Sequence, residues 1–119
     1  MNNLTINGHL VKDMEIKDVK GLLIGEFTIA NNQRVGKDKD VTTFLKCTLF
    51  GNRVESLEKF LVKGAKVLVN GSLSVANVET DDGYKTYVSC IVDKVEIEKF
   101  VEDEPVKKAP NKYSKYKNK

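Results

Sequence analysis

Hydrophobic and polar residues alternate along most of this chain. From Asn3 to Val11, Leu4, Ile6, Gly8 and Leu10 fall on one side and Thr5, Asn7 and His9 on the other. A period of two marks a half-buried strand. Asp13-Met14-Glu15-Ile16-Lys17 breaks the rhythm and Gly21 marks a turn. Leu22 to Asn31 reads as a second strand with Leu23, Phe27 and Ile29 inward. Asn32 to Asp40 is polar and contains glycine, which predicts a loop or hairpin arm. Val41 to Phe50 is a third strand, closed by Gly51.

The rhythm then changes to that of a helix over Asn52 to Leu61. Val54, Leu57 and Leu61 fall on one stripe, and Asn52 with Glu55 resembles a capping box. Lys63-Gly64 is a helix stop. Ala65 to Asn70 and Ser72 to Val78 predict one long strand bent at Gly71. Asp82-Gly83 signals a hairpin turn. Tyr84 to Val92 forms the last long strand, with a continuation over Val95 to Phe100. Three strands, one helix and two more strands fit an all-β, five-stranded Greek-key barrel of the OB type, its helix between strands three and four.

The character changes again at Glu102. Both prolines, Pro105 and Pro110, lie beyond it with few apolar residues, so residues 102–119 are expected to be a flexible, disordered basic tail after a domain of residues 1–101. The last fourteen residues hold six lysines and no acid, and removing those six charges from the net +3 leaves the body at −3. A polyanion would therefore have to meet a local basic patch. No apolar run approaches the roughly 20 residues of a membrane helix, and the N-terminus lacks a signal-peptide pattern, which predicts a cytoplasmic protein. Cys47, Cys90 and His9 do not supply four zinc ligands at usual spacing, and a disulfide is not expected in a reducing compartment. Neither a metal nor another cofactor is implied.

The most informative stretch is Phe44-Leu45-Lys46-Cys47-Thr48-Leu49-Phe50. Alternation puts Leu45, Cys47 and Leu49 on one face, as a barrel interior requires. Phe44, Lys46, Thr48 and Phe50 take the other. Flat rings with a cation between them suit single-stranded nucleic acid, because any base can stack on a ring while lysine pairs with phosphate. Phe50, beside the helix start, could instead plug the barrel end, and Phe44 could pack in the core. Arg34, Lys37 and Lys39 make the arm either a basic finger or a solvated loop. Tyr84, Lys85 and Tyr87 offer a second stacking site or cover a rim, and Arg53 joins the candidate set. No nucleophile with a base is apparent, and Asp81-Asp82 is explained by turn chemistry, so no enzyme is expected.

Over residues 3–100 the chain resembles the bacterial and phage single-stranded-DNA-binding proteins. The resemblance rests on Leu4-x-Ile6-x-Gly8-x-Leu10, Asp13-x-Glu15-Ile16-Lys17, Phe27 to Asn32, Thr43-Phe44, Leu49-Phe50-Gly51, Lys63-Gly64-x-x-Val67-x-Val69-x-Gly71-x-Leu73, Asp82-Gly83 and Tyr87, in shared order and spacing. It implies an OB fold, often a homotetramer, that coats single strands during replication, recombination and repair. The family's stacking positions carry over to Phe44, where many members have tryptophan, and to Phe50. A third tryptophan position falls on Val78, arginine positions fall on Ser72 and Ser74, and His9 replaces an arginine. These departures imply weaker or differently routed binding. Cellular members resemble one another in an acidic, aromatic-ended C-terminus that recruits partner proteins, so the resemblance does not imply replication or recombination partners docked through such a tail here. Here Tyr113 to Lys119 is basic, which looks more like a phage-encoded member acting in host cytoplasm. An OB module for RNA, a primosome-type accessory subunit and a pure protein-interaction barrel remain the competing readings.

Overall fold

The computed structural model describes residues 1–101, and the expected tail lies outside them. The described residues form six strands and one short helix: β1 (Leu4–Leu10), β2 (Glu15–Val19), β3 (Leu22–Gly36), β4 (Lys39–Phe50), α1 (Asn52–Leu57), β5 (Lys66–Thr80) and β6 (Gly83–Lys99). The strand order is β1-β5-β6-β4-β3-β2, and a further pairing of β1 with β3 closes the sheet. Five strands therefore make a closed barrel and β2 lines its outer edge. All pairings are antiparallel except β4 with β6, which run parallel with Cys47 opposite Cys90. This is the OB-type barrel that the element order predicts, with its helix between the strands expected.

Alternation builds the interior. Leu10 from β1, Ile16 from β2, Phe27 and Ile29 from β3, Leu45, Cys47 and Leu49 from β4, Val67 and Val69 from β5 and Cys90 and Val92 from β6 are buried in one cluster. Each fully buried aliphatic side chain contributes about 1.5–3 kcal/mol relative to exposure. Cys47 and Cys90 are buried free thiols. Burial, reinforced by Cys90 nearby, pushes the Cys47 thiol up to about 12, so it packs as a small apolar group.

Three local features differ from the sequence reading. Glu15 to Val19, where the rhythm breaks, is a strand after all. It pairs only with β3 and buries a single side chain, Ile16, so its composition carries little signal. The helix has six residues and ends at Leu57. Leu61, in the turn beyond, is buried by that turn and not by a longer helix. Asn52 does not cap it: Gly51 is the N-cap, with φ of 89° and no side-chain cap bond. A positive φ of that size suits glycine. Of the two readings of Asn32 to Asp40, the structure shows the hairpin arm. β3 and β4 continue as a paired arm with its turn at residues 37–38.

The connection before β2 is tied to the segment that follows the helix. The Met14 amide donates to the Leu61 carbonyl at 2.9 Å, and the Lys63 amide donates to Asp13 Oδ1 at 2.8 Å. The bend in β5 appears as a register irregularity between Asn70 and Gly71. A Cβ at position 71 would collide with the Ile91 backbone carbonyl and with Cys90 Sγ. The carbonyl cannot move without shifting the β5–β6 ladder. Gly71→Ala should therefore destabilise the fold by about 1–3 kcal/mol, as overpacking does. Urea unfolding measures this, and an unchanged midpoint would show that the close approach is not a constraint.

Candidate nucleic-acid interface

With Leu45, Cys47 and Leu49 sealed inside, the other side chains of β4 point out. Phe44 is 66% exposed and Phe50 39%. Lys46 is exposed between them and Thr48 half-exposed. The six-residue separation of the two phenylalanines spans about 20 Å along a strand.

Strand register extends this row into a surface. On β3, Ala30, Thr28, Glu26 and Ile24 lie opposite Phe44, Lys46, Thr48 and Phe50. On β6, Ser89 pairs with Lys46 and Ile91 with Thr48. Ser74 and Ser72 of β5 follow as partners of Ser89 and Ile91. Small side chains thus floor the β5 side, and the rings stand at the β4 side. Alternation along β6 places Lys85 and Tyr87 on the same side as Ser89. Tyr87 is 51% exposed, and Lys85 Nζ sits 5.8 Å from its ring centroid, a cation–π contact.

The remaining sequence candidates are distributed unequally. Tyr84 is exposed, but alternation puts it with Thr86 and Val88, on the face opposite Tyr87. Lys37 and Lys39 are exposed at the arm tip. Arg34 shares the outward side of β3 with Glu26 and Thr28 and pairs with Asp40, Nε to Oδ1 at 3.6 Å. Arg53 turns to the backbone of β6: Nη1 donates to the Asp93 carbonyl and Nη2 to the Val92 carbonyl at 3.2 Å. The structure therefore sets Phe44, Lys46 and Phe50 in one row on β4 and Lys85 and Tyr87 on the matching side of β6, with Arg34, Lys37 and Lys39 on the adjoining arm. It separates Tyr84 and engages Arg53 elsewhere.

Two charged residues that the sequence reading does not single out also belong to this face. Glu26 Oε1 lies 3.2 Å from Lys17 Nζ, and Glu26 Oε2 lies 3.4 Å from Lys46 Nζ. Desolvation raises the Glu26 pKa, but hydrogen bonding and Coulomb attraction from Lys17 and Lys46 outweigh it and hold the carboxyl below its ordinary value. No sequence spacing could reveal this trio, because its members come from β2, β3 and β4 and meet only through register. Among the described residues, no group of three His, Cys, Asp or Glu side chains stands close enough to hold a metal ion.

Comparison with known proteins bears on this surface. The model of the single-strand binding protein family matches residues 1–98. The chain belongs to that family. A single-stranded DNA-binding protein of Clostridium perfringens is 30% identical over 94 residues, covering 77% of this chain and 61% of the relative. One from Borreliella burgdorferi is 38% identical over 77 residues, covering 61% of this chain and 52% of the relative. The chain thus spans between half and two-thirds of the length of these curated relatives. Among solved structures, a Plasmodium falciparum SSB in complex with ssDNA superposes with a TM-score of 0.73 at 24% identity, covering 86% of this chain and 96% of that one. That likeness shows the shared barrel.

In this barrel, Arg53 acts as a clasp between α1 and β6. Hydrogen bonds from a charged donor contribute about 1.5–3 kcal/mol. Arg53→Ala should lower unfolding free energy by an amount in that range, read by thermal or urea denaturation. An unaltered stability would return Arg53 to the set of free surface cations.

Proposed function

We propose that this protein binds and protects single-stranded DNA, largely without sequence preference, by stacking bases on Phe44, Phe50 and Tyr87 while Lys46, Lys85 and the arm cations Arg34, Lys37 and Lys39 meet phosphates. The observation that carries the reading is the exposed rank of Phe44, Lys46 and Phe50 on the outer side of β4, in a chain of this family. A phosphodiester backbone with unpaired bases offers both partners that such a surface lacks, a π-face for each ring and an anion for each ammonium. Residues 1–101 serve as the binding domain, and the role is that of a non-enzymatic coat in replication, recombination and repair.

Self-association to a tetramer belongs to the same proposal. It is supported by apolar side chains on the β5–β6 arm, where Leu73, Val75 and Val88 are 43%, 55% and 49% exposed. Unburied apolar residues gathered on one arm suit contact with another copy. No helix among the described residues is long and apolar enough to cross a membrane, which accords with the proposed cytoplasmic setting. The lysine-rich residues 106–119 support a phage-encoded member that acts in its host's cytoplasm.

A fluorescence or gel-shift titration with oligo-dT tests the reading. Phe44→Ala should weaken binding by about 1–3 kcal/mol, the range for one stacked base, with an unchanged melting curve. Affinity should fall steeply with salt as lysines displace counterions. Unaltered affinity in the variant would remove Phe44 from the site. Preference for oligo-U over oligo-dT would favour an RNA-binding OB module, and no binding to either at low salt would favour a protein-interaction barrel.

A further inference from the structure

The outer face is cationic by residue count, and two acids engage part of that charge. Lys17 and Lys46 share Glu26, and Arg34 is held by Asp40. Lys85 lies over the ring of Tyr87. Glu26 differs from Asp40 in its setting. Its side chain is only 21% exposed, against 60% for Lys17 and 54% for Lys46, whereas Arg34 and Asp40 are 74% and 64% exposed. The carboxylate lies low in the sheet surface with an ammonium to either side, one on each oxygen. The next acid, Glu15, is opposite Glu26 on β2 and faces Lys12 at 3.8 Å.

We infer that Glu26 is a built-in attenuator of nucleic-acid binding: its carboxylate occupies Lys17 and Lys46, and a phosphate must compete with it for both. The inference rests on the single-strand reading of this face. It also adds Lys17 to the phosphate-contacting set, carrying the surface past Lys46 onto β2.

The trio Lys17–Glu26–Lys46 presents a net charge of +1 where two lysines alone would present +2. A phosphate arriving above the lysines meets a fixed anion within reach of the same two ammonium groups. Screening by salt weakens repulsion between exposed charges, but Glu26 sits in a surface that water reaches only in part, so its charge is screened less. The consequence is an affinity lowered by one carboxylate from what the stacking rings and the two lysines would otherwise supply.

Oligo-dT titration of the intact protein across a salt series tests this. Neutralising the acid by Glu26→Gln restores about one effective cation. The slope of log K against log salt should then steepen by about 0.7, the single-strand increment for each phosphate neutralised. Affinity should rise roughly fivefold to tenfold at 50 mM salt and converge with wild type near 1 M, as that slope requires. Glu26→Thr, also uncharged and suited to a strand, should move affinity the same way, so the result does not hinge on how glutamine packs. Lys46→Gln should cost more affinity in the Glu26→Gln background than in wild type, because the lysine there is no longer shared. Equal or weaker binding by both uncharged variants, with melting curves intact, would overturn the inference and make Glu26 an aligning residue for its lysines. Phe44→Ala in the same series separates the two readings. If wild type binds but Phe44→Ala is silent, the stacking surface fails; if Phe44→Ala weakens binding and the Glu26 variants do nothing, only the attenuator fails.

Discussion

Burying Leu45, Cys47 and Leu49 inside a closed barrel leaves β4 no freedom over its remaining side chains. Adjacent residues on a strand point to opposite faces, so a one-residue slip would exchange the core for the surface. The slip is opposed from both sides. β3 supplies Phe27 and Ile29 opposite Cys47 and Leu45, and β6 supplies Cys90 beside Cys47. Phe44, Lys46, Thr48 and Phe50 are outward because their neighbours are not. The aromatic and cationic surface is therefore a by-product of core packing, held by the most deeply buried part of the molecule.

Barrel closure then decides what joins that row. The parallel pairing of β4 with β6 sets Ser89 and Ile91 beside Lys46 and Thr48, and the antiparallel pairing with β3 sets Thr28 and Glu26 on the other flank. One flank is small and open; the other is charged. Backbone hydrogen bonding thus distributes the chemistry across elements far apart in the chain. The arms carry the surface beyond the core. Their residues gain little from burial, so ladder pairing and a few side-chain bonds hold them, such as Thr42 Oγ1 with Asn32 Oδ1 at 2.6 Å and Thr86 Oγ1 with Asn77 Oδ1 at 2.8 Å.

What was legible in the sequence follows the same physics. β1, β4 and the inner part of β3 alternate because one side is buried, and their faces are assigned from sequence; for β5 and β6 the sequence predicts the strands without their faces. β2 escaped because an edge strand with one buried residue leaves no periodic trace. For Asn32 to Asp40 the sequence leaves a loop and a hairpin arm open, because two solvated faces carry no alternation. The helix was overextended because Val54 and Leu61 are both fully buried, yet a turn carries the second. In the site, the row on β4 was visible from alternation alone. The orientation of Tyr84 also followed from alternation, once β6 was known to run unbroken from Gly83 through Cys90. The Lys17–Glu26–Lys46 trio and the attachment of Arg53 to Asp93 and Val92 needed register and tertiary packing, which no local pattern encodes.

The central claim is that one side of β4 grips the ligand while the other side is sealed, and residue-resolved NMR titration with oligo-dT tests it most directly. Perturbations should concentrate on the side chains of Phe44, Lys46 and Phe50 and on their outward neighbours around Ser89 and Tyr87, with the methyl groups of Leu45, Leu49 and Val69 little affected. Perturbations that instead gather on the far face of the β5–β6 arm, around Val75, Tyr84 and Val88, with β4 silent, would contradict it.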